Sequence, residues 1–182
     1  GPLTVTVDAP ALLAASNAAA STWCPTELIT VRLDRTDPFA TTGADEAFTT
    51  AASTEIPLAT VGTLWLERTR ACWTADVDSG NAQGRAEAVR FETNQAAAIE
   101  LARQIRLRQG AGAFIADFLR LPDTKAQAAI IQTLRNAFAE DPAPLRFNPG
   151  FDPLGFYAFS RGRVAPRFTA RTADGGHRQA LL

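Results

Sequence analysis

The chain has 182 residues with 18 Lys+Arg, 19 Asp+Glu, a formal net charge of −1 and 46% hydrophobic residues. Those values exclude a uniformly basic nucleic-acid coat and an acidic solvating tail, and they fit globular material long enough for a core, in one domain or two small ones. The balance hides an asymmetry: residues 1–100 carry 6 basic and 13 acidic side chains, residues 101–182 carry 12 and 6, which points to a binding surface on one part of the chain.

Gly1-Pro2 reads as the remnant of a cleaved tag, and the residues that follow have neither the basic nor the apolar segment of a signal peptide. Leu3–Val7 alternates like a strand. Asp8 is placed to cap a helix with Pro10 near its first position, running to about Ala20. Residues 28–33 read as a second strand, 36–42 as a polar loop and 44–53 as a helix, with Pro57 closing this first unit. Strand, helix, strand, helix is an α/β pattern. Residues 63–67 and 71–77 then read as two strands of a hairpin, joined by a short turn, and 78–90 as a loop. Residues 94–108 form a helix with Ala98, Leu101, Ala102 and Ile105 as its apolar stripe. The run 113–119 is nearly continuously apolar and predicts a strand buried on both faces. Asp123 or Thr124 caps a further helix to about Glu140, and 145–147 and 154–159 are closing strands. The tail from Thr172 is expected to be loose.

The expected division is 1–60, 61–171 and a tail 172–182. No apolar run approaches the ~20 residues of a membrane span. Cys24 and Cys72 make neither a disulfide framework nor a Cys-x-x-Cys zinc pattern, so a reducing, cytoplasmic setting without structural zinc is expected. The only histidine, His177, lies in the tail, which argues against histidine acid–base chemistry. Trp23, Trp65 and Trp73 lie in or beside predicted strands and read as core residues.

Asp117 interrupts the apolar run 113–119. An ionised carboxylate there costs several kcal/mol unless it is paired, binds a metal or sits at an exposed strand end. Asp76 and Asp78 alternate onto one side at the end of another strand, before a Ser79-Gly80 turn. Adjacent strands lie under ~5 Å apart, so Asp76 and Asp117 can share one Mg²⁺ that keeps several waters and takes further ligands from a substrate phosphate. That chemistry is metal-assisted phosphodiester hydrolysis. Arg103 and Arg106 share one flank of the 94–108 helix and Arg108 the other, while Arg161, Arg163 and Arg167 cluster after the last strand. Beside a metal pair, such a cluster suits phosphate-backbone contact.

The stretches TADVDSG (74–80), FETNQAAAIELARQIRLRQGAGAFIADFLRL (91–121) and LGFYAFSRGRVAPRF (154–168) resemble the catalytic part of the ribonuclease E/G family. Thr93-Asn94, Ala97-Ala98, Ala102 to Arg108, Gly112 and Asp117-Phe118 match that pattern in order and spacing. The resemblance covers residues 62–170 best, as a DNase I-like subdomain. More weakly, the upstream elements with Glu55-Ile56-Pro57-Leu58 look like part of an RNase H-like subdomain.

The resemblance implies an α/β fold with a mixed sheet, and an Mg²⁺-dependent endoribonuclease, with Mn²⁺ as an alternative metal. It would cut single-stranded RNA to leave a 5′-phosphate and a 3′-hydroxyl. Asp76 and Asp117 match the metal-holding aspartates, and Asp78 matches the residue that positions groups at the metal. Arg85, Arg103, Arg106, Arg108, Arg161 and Arg163 are the candidate RNA contacts. The chain departs from the family pattern in lacking counterparts of the OB-fold, the 5′-end sensor and the zinc link. It also carries Arg120 and Arg70 where the family has acids, and keeps one glycine of a Gly-Gly turn. A catalytically weak RNA-binding or assembly protein is therefore the alternative reading. A homo-oligomer that completes the thin first unit is a further expectation.

Overall fold

The computed structural model describes residues 3–23, 28–80 and 87–164. Cys24, Arg85, Arg167, His177 and the tail 172–182 lie outside the described residues. The chain falls into two compact units that divide between Thr50 and Ala51. The protein has the α/β class expected. Among the described residues, no helix is long and apolar enough to cross a membrane.

In the first unit, β1 (Leu3–Val7) and β2 (Ile29–Leu33) form a parallel pair with Leu3 opposite Ile29 and Val7 opposite Leu33. The connection between them is α1 (Pro10–Trp23), three residues longer than expected; this βαβ unit is the minimal way to join parallel strands. The segment expected as a polar loop instead begins a short helix, α2 (Pro38–Thr42). Asp37 Oδ1 accepts from the N–H groups of Phe39 and Ala40 at 3.0 and 3.1 Å, and Pro38 occupies the first turn, where its missing N–H costs nothing. Gly43, at φ 72°, ends α2, and α3 (Ala44–Ala52) follows.

The second unit is a six-stranded mixed sheet in the order β3-β4-β5-β6-β8-β7. Its strands are β3 (Glu55–Pro57), β4 (Thr63–Arg68), β5 (Trp73–Asp78), β6 (Gly112–Asp117), β7 (Leu145–Phe147) and β8 (Phe156–Arg161). The hairpin expected at 63–77 is present as β4 and β5. Glu55-Ile56-Pro57 is an edge strand paired antiparallel to β4, so it belongs to this sheet. β5 and β6 are parallel neighbours, joined through α4 (Glu87–Leu107). That helix begins seven residues before the expected Asn94, because nothing in 87–93 breaks it and Glu87 suits the positive end of its dipole. α5 (Thr124–Ala137) begins at the expected cap, where Asp123 Oδ1 accepts from Lys125 N–H at 3.0 Å.

Both helices contribute to one core. On the sheet, Leu64, Leu66, Trp73, Ala75, Val77, Phe114, Ala116, Tyr157 and Phe159 are buried, and against them lie Ala97, Ala98, Leu101, Ala102 and Ile105 of α4 and Ile130, Ile131 and Leu134 of α5. The three buried alanines of α4 let its backbone approach the sheet closely. The Phe114 and Phe159 rings stack at 4.9 Å.

Burial alternates along β5 and β8, and along β6 from Ala113 onward. This corrects the expectation that 113–119 is buried on both faces: in β6, Phe114 and Ala116 point into the core, while Ala113, Ile115 and Asp117 lie on the other, open face. The run is apolar on both sides because alanine and isoleucine tolerate a half-exposed sheet surface. β8 starts two residues later than expected. Asp152 Oδ1 accepts from the N–H groups of Leu154 and Phe156 at 2.9 and 2.8 Å, and Gly155 takes φ 100°, which holds this stretch in a turn.

Candidate active site

The register places Asp76 of β5 directly opposite Asp117 of β6. Both side chains are exposed on the open face, on strands spaced about 4.8 Å apart. Partial burial, and then the Asp76 charge beside it, push the Asp117 carboxyl above its usual range. Two carboxylates held side by side, with no ion pair to a cation among the described residues, are a place where a divalent ion lowers the energy. Thr63 is opposite Asp78, which therefore lies on the same face nearer the end of β5. Its Oδ1 accepts from Gly80 N–H at 2.8 Å, so the turn expected of Asp-Ser-Gly forms and fixes this carboxylate. A Cβ on Gly62 would come within 2.2 Å of the Asp78 carbonyl oxygen. Only glycine lets the start of β4 approach the end of β5 this closely.

Asn94 positions Asp117. It is fully buried on α4. Its side-chain amide donates to Leu119 O at 2.8 Å, and its carbonyl accepts from Leu119 N–H at 2.9 Å. This clamp fixes the backbone two residues beyond Asp117. The Thr93-Asn94 motif was visible in the sequence, but its partner was not. Asn94→Ala is expected to lower stability by about 2 kcal/mol, because it strands a buried N–H and a buried carbonyl, as measured by urea denaturation.

The arginines are arranged differently from the expectation. α4 packs on the core side of the sheet, so its arginines stand on the opposite face from Asp76 and Asp117. Arg108 is buried. Its Nε donates to Gln104 Oε1 at 3.0 Å and its Nη2 to Ser53 O, which ties it to its own helix and to the segment before β3. Arg106 donates to Ala137 O and covers the Phe138 ring, tying α4 to α5. Arg103 forks onto Glu100 at 2.8 and 2.7 Å. Burial pushes the Glu100 carboxyl up, but hydrogen bonds from Arg103 and Gln104 outweigh it and hold it below its usual value.

Arg161 faces the core and is locked onto Asp141 and Gly110 O. Arg163 is exposed, but it lies beyond the end of β8 remote from Phe156, the residue opposite Asp117. The five steps from Phe156 to Arg161 alone span about 17 Å. Arg85 lies outside the described residues.

Among the described residues, a cation that shares a cleft with Asp117 is Arg120, which sequence reasoning treated only as a departure. Arg120 lines a cleft of about 280 Å³ that begins at Asp117 and is walled by Leu121, Gln127, Phe151, Asp152 and Leu154. It is exposed, and it makes no hydrogen bond or ion pair with any described residue.

The donor set fits Mg²⁺. Among the described residues there is no cluster of three or more His, Cys, Asp or Glu side chains able to hold a metal. A pair of carboxylates suits a hard cation that retains water and binds substrate phosphate, whereas a closed zinc site needs four protein ligands with nitrogen or sulfur among them.

The described second unit is thus a sheet with helices on one face and paired aspartates of adjacent strands on the other. The sequence model of the ribonuclease E/G family matches residues 3–164, and the chain belongs to that family. Similar proteins include ribonuclease E of Escherichia coli K12, 32% identical over 114 residues, or 62% of this chain and 11% of that protein. The chloroplastic ribonuclease E/G-like protein of Arabidopsis thaliana is 31% identical over 121 residues, 64% of this chain and 12% of that one. Ribonuclease G of Salmonella typhimurium SL1344 is 30% identical over 116 residues, 63% of this chain and 24% of that one. The chain thus matches between about a ninth and a quarter of the length of these relatives.

Proposed function

We propose that the chain carries a metal-dependent endoribonuclease centre that hydrolyses single-stranded RNA to 5′-phosphate and 3′-hydroxyl ends. The observation that carries this reading is the in-register pair Asp76–Asp117 on an open sheet face, in a chain of the ribonuclease E/G family. Asp76 and Asp117 would hold Mg²⁺, or Mn²⁺ in its place. When bound, the ion supplies charge neutralisation at the phosphate and acidifies water. Asp78, fixed through Gly80 N–H, accepts a hydrogen bond from a water or a ligand on the same face. Arg120 reaches from the cleft wall to a phosphate next to the reacting one.

The test is incubation of a 5′-monophosphorylated single-stranded RNA with the protein in Mg²⁺ or in EDTA. Cutting in Mg²⁺ alone, with products that ligase joins through their 5′-phosphates, is the expected result. Salt-sensitive binding with no metal-dependent cutting would favour the RNA-binding reading instead. Arg120→Ala is expected to weaken RNA binding and to reduce the slope of log K against log salt by about 0.7, the value of one phosphate contact on a single strand.

A further inference from the structure

The open face carries more than the carboxylates. Across the sheet, Trp65 of β4 is opposite Asp76, Asp76 is opposite Asp117, and Asp117 is opposite Phe156 of β8. One cross-strand row therefore reads Trp65, Asp76, Asp117, Phe156, with an aromatic ring on each side of the acidic pair. Both rings are half-buried. Neither stacks on another ring among the described residues, whereas Trp73 of β5 is buried in the core and stacks on Phe114 at 5.9 Å. This also revises the expectation that all the tryptophans belong to the core. With strands about 4.8 Å apart, the backbones carrying the two rings are about 14 Å apart and the carboxylates lie between them.

We infer that Trp65 and Phe156 are stacking platforms for the two nucleobases that flank the phosphate held at Asp76 and Asp117. The inference rests on the proposed reading of that pair as the site where RNA is cut. Proteins engage single-stranded RNA by unstacking its bases and laying them on aromatic rings, which is tolerant of sequence because every base has a flat π-face. A phosphate held through an ion on the acidic pair would send its two nucleosides outward along the row, one toward each ring. The α4 arginines are on the far face and cannot grip the strand there, so stacking supplies the hold that they do not. The row also sets a polarity-independent footprint of two bases, so the cut would depend on flanking bases being unpaired rather than on their identity.

The experiment uses the full chain at low salt with Ca²⁺ in place of Mg²⁺, an ion that takes oxygen ligands, and a short single-stranded RNA, checked intact on a gel, as the probe. Tryptophan fluorescence is expected to be quenched on titration. In Trp65→Phe the quench should disappear while the Kd stays within about twofold, since phenylalanine still stacks. Trp65→Leu and Phe156→Leu keep apolar bulk without a stacking ring, and each should raise the Kd about tenfold. Phe156→Trp should restore affinity and add a second quench. An RNA made abasic on both sides of one phosphate should lose the quench at that site.

Unchanged affinity in both leucine variants, with wild-type melting curves, overturns the inference, as does a quench that survives Trp65→Phe. If these dependences hold but Mg²⁺ never elicits cutting, the catalytic reading fails and the stacking surface stands. If Mg²⁺-dependent cutting persists while both leucine variants bind as the wild type does, the stacking surface fails alone. No RNA binding at all overturns both.

Discussion

Replacing Asp117 with asparagine is expected to abolish metal-dependent RNA cleavage and to make the protein slightly more stable. The two effects share one cause. Burial and the facing Asp76 charge raise the Asp117 carboxyl above its usual range, so the native state holds an ionised group it disfavours. For an acid raised in the folded state, stability falls as pH rises from the unfolded value through the folded one. At neutral pH the full cost is therefore present. Asparagine keeps the shape and removes the charge, relieving like charges directly opposite on adjacent strands.

The Asp117 side chain is solvent-exposed, which limits the gain to about 0.5 kcal/mol, or ~1–2 °C in Tm for a chain of this size. The gain should shrink as pH drops through the carboxylate range. Mg²⁺ should raise the Tm of the wild type and leave that of Asp117→Asn unchanged. Melting curves with and without Mg²⁺, beside the RNA assay, check both parts. Full activity in Asp117→Asn and in Asp76→Asn would sink the proposed site.

The largest loss of stability is expected from Arg161→Ala. Arg161 Nε and Nη2 bind the two oxygens of Asp141 at 2.8 and 3.0 Å, and Nη1 donates to Gly110 O at 2.7 Å. The two side chains are 2% and 0% exposed. Truncating the arginine strands the Asp141 carboxylate and the Gly110 carbonyl, at about 3–5 kcal/mol, a large part of the total stability of an ordinary domain. The contact joins the end of β8, the turn after α4 and the segment after α5, so its loss loosens three connections together.

Burial would push the Asp141 carboxyl up. The hydrogen bonds from Arg161 and Ala143 N–H, together with the Arg161 charge, outweigh that and hold it below its usual value. Its contribution is therefore fully present above the ordinary carboxylate range and lost as pH falls through the depressed folded value. Urea melts from neutral to acid pH should show a steeper acid limb in the wild type than in Asp141→Asn. A change under 1 kcal/mol for Arg161→Ala would contradict the buried-pair account.

The sequence made the acidic pair legible because strand alternation and an out-of-place carboxylate are local signals. It also showed β4, β5, α5 and the family motif around Asn94. The placement of the arginines was not legible for a specific reason. A helical stripe tells which flank of α4 a residue occupies, but not which side of the sheet the helix covers. In β8 the two faces read Phe156, Ala158, Ser160 and Tyr157, Phe159, Arg161, and nothing local marks the second as the core. The partner of Arg161, Asp141, lies 20 residues away. Arg120 was noticed as a departure, yet its place in a cleft depends on the 150–155 turn folding against it. The helix α2 falls in a stretch that reads as a polar loop, although Asp37-Pro38, a cap followed by a first-turn proline, carries its start signal.

The acidic pair sits on β5 and β6, the two strands joined through α4, and the Asn94 clamp closes within that same stretch and the two residues beyond it. Residues 73–119 are thus a contiguous cassette: one uninterrupted piece of chain brings both carboxylates, the helix between them and the brace that aligns them. Flanking strands and whole neighbouring domains can be gained or shed around such a cassette without splitting the pair, which suits a family whose members range so widely in length.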